Sequence, residues 1–117
     1  SPPCAWLRRL AALRRRVPAL RRGLEFPRWS DPAGPGLYAF SRIHEGVEVL
    51  VVLNTSLTPR AAEPCMDAAL TPAGTVLHDA LDPSWTARCF PSLGASRVAV
   101  SVPGLGARVL MRAGSAA

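Results

Sequence analysis

The chain has 117 residues, enough for one domain with a modest core, and 49% of them are hydrophobic, which excludes a disordered chain. The net charge is +6 and all 14 basic residues are Arg, yet half of these lie between Arg8 and Arg22, so the charge belongs to one segment and not to the whole surface. No aromatic-and-basic strand or recognition-helix pattern accompanies it, and the longest apolar run, Val49 to Leu53, is far too short to span a bilayer, so neither a nucleic acid nor a membrane is read as a partner.

The first element is an amphipathic helix. At about 100° per residue, Leu10, Leu13, Val17 and Leu20 fall within about 40° of Trp6, while Arg8, Arg15 and Arg22 fall near the opposite side. Pro2 and Pro3 suit its first turn, with Ser1 as cap. Pro18 is expected to end or kink it near Val17, and Gly23 suits the exit. Such a stripe needs a surface to lie on, and the chain downstream offers little. The expectation is therefore a segment cut from something larger, with Trp6, Leu10, Leu13 and Val17 packing against a body outside it.

Residues 25–36 hold Pro27, Pro32, Pro35, Gly34 and Gly36 and read as a loop or an irregular edge segment. Leu37 to Ile43 reads as a strand, with Leu37, Ala39, Ser41 and Ile43 on one face and Tyr38, Phe40 and Arg42 on the other. Glu45-Gly46 makes the turn, and Val47 to Asn54 returns as a buried strand. Thr55 to Pro64 is polar and broken by Pro59. A weak strand is expected near Cys65 to Leu70 and a short one over Thr75 to Ala80. Residues 80–94 read as irregular, Arg97 to Val102 and Leu105 to Arg112 as a hairpin across Pro103-Gly104, and Ala113 to Ala117 as a tail. Leu50, Val52, Val100 and Val109 lie in the strongest strand patterns and are the predicted core. The predicted fold is mainly β: an N-terminal helix, then an antiparallel Greek-key β-sandwich.

Three stretches carry a resemblance to a known family. Leu10-Ala11-Ala12-Leu13-Arg14-Arg15-Arg16-Val17-Pro18-Ala19-Leu20-Arg21-Arg22-Gly23 resembles the last barrel helix and its exit in the α-amylase superfamily of glycoside hydrolases. Leu37-Tyr38-Ala39-Phe40-Ser41-Arg42, followed by Val49-Leu50-Val51-Val52-Leu53-Asn54-Thr55-Ser56, resembles that family's paired strands ending in Asn at the start of domain C. Val98-Ala99-Val100-Ser101-Val102-Pro103-Gly104-Leu105-Gly106-Ala107-Arg108-Val109-Leu110 resembles its closing hairpin. The resemblance implies that residues 1–23 are the terminal helix of a missing (β/α)8 barrel and its exit, and that residues 24–117 are the C-terminal β-sandwich domain. It further implies a catalytic barrel in the same polypeptide as partner and an α-glucan substrate reached through that parent. It carries over no catalytic residue, because the family's nucleophile and acid/base come from barrel strands.

The residues themselves agree with a non-catalytic segment. Glycoside cleavage needs two carboxylates facing each other across the bond. Glu25, Asp31, Glu45, Glu48, Glu63, Asp67, Asp79 and Asp82 sit in predicted turns, loops or exposed strand positions, where a solvated charge is expected. His44 and His78 have no second ligand at metal spacing, and Cys4, Cys65 and Cys89 match no zinc or redox motif, so neither a metal nor a cofactor is read. Cys65 and Cys89 have the option of pairing, against idle thiols. Trp29 and Trp85 lie in irregular segments where a ring can stack on a sugar face. They are the candidate carbohydrate contacts, with core or inter-domain packing as the competing reading. A free-standing β-sandwich that binds a glycan or a protein is the alternative to the whole assignment.

Overall fold

The computed structural model describes residues 2–113, and their side chains from Leu7 onward. The Ser1 cap, the side chains of Cys4 and Trp6, and residues 114–117 lie outside the described part. Two helices, α1 (Pro2–Arg16) and α2 (Pro18–Arg22), precede eleven strands. The break between the helices is local chemistry. Val17 sits at φ −109° and ψ 104°, the extended conformation that a following proline imposes, and Pro18 opens the next helix where its missing N–H costs nothing. Gly23 closes α2, but not through a left-handed backbone, since its φ is −69°. It is needed for room: a Cβ there would lie 2.9 Å from the Ile43 nitrogen and 2.5 Å from the Ala19 carbonyl.

Strands β1 (Leu24–Ser30), β2 (Leu37–His44) and β3 (Val47–Asn54) form a meander. The β2–β3 hairpin turns on Glu45 and Gly46, both at positive φ, the mirror-image turn that matches strand twist. The chain then crosses to a second layer through β4 (Arg60–Ala62) and β5 (Cys65–Met66). It returns as β6 (Val76–Asp79) and β7 (Asp82–Arg88), crosses again as β8 (Phe90–Ser92), β9 (Ala95–Arg97) and β10 (Val100–Val102), and ends in β11 (Ala107–Arg112). The main sheet runs β1-β2-β3-β11-β6-β7, all antiparallel, with the last strand inserted between β3 and β6 by a long return of Greek-key type. The pairs β4–β10 and β5–β9–β8 make the opposing layer.

The sheet is covered on both sides. Toward the second layer, Leu37, Ala39, Leu50, Val52, Leu77 and Leu110 meet Met66, Val98, Val100 and Val102. Toward the helices, Val49, Val51, Val109 and Met111 meet Leu13, Val17, Ala19 and Leu20. The four predicted core residues Leu50, Val52, Val100 and Val109 are buried.

One expectation is sharpened and two fail. Of the two readings of residues 25–36, the irregular edge segment holds for 24–30, which form a strand: Pro27 falls on the outermost strand, where no neighbour needs its N–H, and a bulge between Pro27 and Trp29 absorbs the irregularity. Residues 82–88 and 90–92 are also strands, with Pro83 and Pro91 at edge positions. The predicted hairpin across Pro103-Gly104 does not form. Val100–Val102 pairs with Arg60–Ala62, while 107–112 pairs with β3 and β6, so Pro103-Gly104 is a corner between layers.

Candidate functional site

The acidic residues were expected to be solvated, and two are not. Glu48 lies on the inner face of β3 with its carboxylate at 0% exposure. It accepts from the Arg28 guanidinium at 3.0 Å, the Ser41 hydroxyl at 2.6 Å, the Thr71 hydroxyl at 2.7 Å and the Asp67 backbone N–H at 3.0 Å. Asp79, at 1% exposure, accepts from the backbone N–H groups of Leu81 and Val109 and from Arg108 at 3.0 Å. Arg108 in turn donates to the Ser101 carbonyl at 2.6 Å, which ties the two layers together. Both carboxylates are fully engaged by partners within the chain. Neither is held opposite a second free carboxylate, so neither is set up for acid/base work on a glycosidic bond.

A third polar hub was missed in the sequence. Asn54 ends β3 and is 2% exposed. Its amide donates to the carbonyls of Thr58, Val102 and Pro103 at 2.9–3.0 Å, and its carbonyl accepts from the Ser56 N–H and hydroxyl. One side chain thus fastens the end of β3 to the Pro103-Gly104 corner. Gly104 fits there because the Leu57 carbonyl occupies the space of a side chain. The signal was an Asn at the end of an apolar strand, followed by Ser and, much later, Pro-Gly.

The two candidate carbohydrate contacts are not brought together. Trp29 is on β1 and Trp85 on β7, the opposite edges of the main sheet, five strand spacings or about 24 Å apart. Trp85 is half-buried against the inner core, and the Arg108 guanidinium covers one ring face at 4.4 Å from its centroid. A stacked cation leaves that face closed to a sugar. Trp29 is the open one, at 36% exposure. Its indole N–H donates to Asp31 at 2.9 Å, and the other Asp31 oxygen accepts from the Leu37 N–H at 2.7 Å. That backbone donor, and next the indole, hold the Asp31 carboxyl below its ordinary pKa. Asp82 is likewise lowered, chiefly by the Ser84 hydroxyl.

Of the residues read as packing outward, Leu13 and Val17 are buried against the chain's own sheet and Leu10 is half-buried at the margin. The Trp6 side chain lies outside the described part. Cys65 and Cys89 are unpaired, and burial pushes the Cys89 thiol up. Among the described residues no cluster of His, Cys, Asp and Glu could hold a metal ion, and the His44 Nε2 lies 3.7 Å from a Glu45 carboxylate oxygen.

No family model and no curated protein matches the chain. Solved structures do. AmyP, determined as a variant in complex with maltotriose, superposes with a TM-score of 0.65 at 18% identity, over 87% of this chain and 19% of its own. CldA, described as a cyclomaltodextrin glucanotransferase with a three-domain ABC distribution, gives 0.64 at 19% identity, over 85% and 20%. A debranching enzyme from Nostoc punctiforme gives 0.60 at 16% identity, over 86% and 19%. The chain thus resembles, in fold, the C-terminal region of α-amylase-family, α-glucan-active enzymes. It spans about a fifth of the length of the structures it matches.

Proposed function

We propose that this chain is the non-catalytic C-terminal stabilising domain of an enzyme that hydrolyses or transfers α-glucosidic bonds. The observation that carries the reading is the match of 85–87% of this chain with about one-fifth of each of three such enzymes. The engagement of Glu48 and Asp79 by the domain's own polar groups supports a structural role for its buried acids. In this reading residues 1–23 are the terminal helix of a (β/α)8 barrel, residues 24–117 are the sandwich, and α-glucan is met through the parent. Trp29, the more exposed of the two, is the better candidate glycan contact.

One observation favours the alternative of a free-standing module that binds a glycan or protein: the chain covers Leu13 and Val17 with its own sheet. Two measurements decide. The encoded sequence upstream of Ser1 should contain a barrel with catalytic Asp and Glu motifs; its absence would sink the first reading. The purified chain, incubated with starch, maltooligosaccharides and sucrose, should release no reducing sugar. Turnover abolished by mutating one acid would overturn both readings.

A further inference from the structure

The helix α1 carries a second stripe that its own sheet does not use. Leu7, Ala11 and Arg14 stand at i, i+4 and i+7, turned away from the Leu13–Val17 stripe toward solvent, and Leu10 lies half-buried between the two faces. Leu7 is 55% exposed, and Ala11, Arg14, Arg15 and Arg21 are exposed. With Leu10 these residues line a shallow groove of about 630 Å³. It joins, through Leu10 and Arg14, a second hollow of about 230 Å³ floored by Phe40 and Val51 on the sheet. The two hollows make a trough beside α1 that is apolar at its base; its rim carries Arg14, Arg15, Arg21 and Arg42, and its one acid, Glu25, is paired with Arg42 at 3.4 Å.

We propose that this trough receives an acidic amphipathic helix laid alongside α1. The shape is right: Ala11 lets a helix backbone approach closely, and Leu7, Leu10 and Phe40 offer apolar contact along its length. Charge sets the chemistry. No acidic residue precedes Glu25, seven Arg lie between Arg8 and Arg22, and Arg14, Arg15 and Arg21 have no ion-pair partner among the described residues. The occupant therefore carries Asp or Glu along its flanks. An anionic membrane is the poorer fit, because the helix's richest apolar stripe is already spent on the sheet and the remaining surface is concave, whereas a helix lying in a bilayer interface presents a convex apolar face. That the helix belongs to the adjoining catalytic body rests on the proposed function; that the trough prefers an acidic helix does not.

The test uses the chain itself and two designed helical peptides, both with Leu at i, i+3, i+4 and i+7, one flanked by Glu and the other by Lys. Backbone amide shifts are followed during titration. The Glu peptide should bind about tenfold tighter than the Lys peptide at low salt, shift the amides of Leu7, Ala11 and Phe40, and lose much of its advantage at high ionic strength. The double variant Arg14→Glu, Arg15→Glu should reverse the preference, with Arg15→Gln as the milder change if the double variant misfolds. Equal affinity for both peptides, binding of neither, or shifts of the same amides only by anionic phosphatidylglycerol vesicles or only by raised protein concentration would each overturn the proposal. The upstream sequence tests the parent enzyme separately, so the two failures are distinguishable.

Discussion

The two faces of the main sheet are sealed in different ways. Toward the second layer, apolar packing is interleaved with polar hubs: Asn54 on three carbonyls, Glu48 under Arg28, Ser41 and Thr71, and Asp79 with Arg108. Toward the helices the seal is nearly all apolar, with Leu13, Val17, Ala19 and Leu20 on Val49, Val51, Val109 and Met111. A polar tie from α1 to the rest is Arg9 donating to the Leu81 carbonyl. Directional bonds fix one arrangement, whereas apolar contact tolerates sliding and exchange. The inner interface specifies the sandwich. The outer one is an adjustable joint, the kind at which another body can be added.

The largest expected effect is on the inner side. Glu48→Ala removes the acceptor of four hydrogen-bond donors and leaves the Arg28 guanidinium without its carboxylate. Breaking a buried pair by deleting one partner costs about 3–5 kcal/mol. Urea unfolding should show that loss, and a cost below about 1 kcal/mol would mean that the hub is not what fixes the inner face. Asn54→Ala comes next. It leaves the Ser56 N–H without its acceptor and removes the amide that joins three carbonyls, although the Thr58 carbonyl keeps the Ser56 hydroxyl and the Pro103 carbonyl keeps the Gly106 N–H, for about 2 kcal/mol. Asn54→Asp should fare no better, since a carboxylate cannot donate to carbonyls.

These hubs also mark where the sequence stops being legible. The Leu37–Asn54 hairpin could be read because alternation and a two-residue Glu45-Gly46 turn are local signals. The helix break at Val17 could be read because Pro18 acts on its immediate neighbour. By contrast, Glu48 in Val47-Glu48-Val49 has the same local pattern whether it faces water or a ring of donors supplied by residues 28, 41 and 71. Pro27 and Pro83 suppress the strand signal, although an edge strand tolerates them, and edge status depends on strand order. The failed hairpin at Pro103-Gly104 has the same cause: a turn signal marks a reversal but not the strand that the chain pairs with next. Of the candidate site, the apolar stripe of the helix was legible, but not that the chain's own sheet covers Leu13 and Val17, nor that Arg108 closes one face of Trp85.

Matched deletions on the two faces of β3 separate the pinned layer from the helix layer. Val52→Ala on the inner face should cost about 1–3 kcal/mol, because the opposing layer is pinned and cannot close over the cavity. Val51→Ala, one residue along on the outer face, should cost about 1 kcal/mol less, because α1 can settle onto the smaller side chain. Equal costs would mean that the helix is held as firmly as the second layer.

The smallest expected effect is a pH dependence at the rim, and its sign follows from the chemistry of Asp31. The Leu37 N–H and the Trp29 indole hold its carboxyl below the ordinary value, so the charged form is favoured in the folded chain. A depressed carboxylate contributes stability above its unfolded pKa, near 3.8, and that stability is lost as pH falls through the folded value. Acidification below about pH 4 should therefore weaken the native chain more than Asp31→Asn, whose amide cannot titrate. Both proteins should be unfolded in urea at several pH values between about 6 and 2.5. A steeper acid loss in the native chain than in the variant is the expected outcome, and parallel curves would show that the Asp31 bonds do not survive in solution. Because Asp31 ties the start of β2 to the edge strand and not to either buried face, the helix layer should respond to neither change. Amide exchange at Leu13 and Val17 should stay the same in both proteins at pH 6, which separates a rim effect from a loosening of the joint.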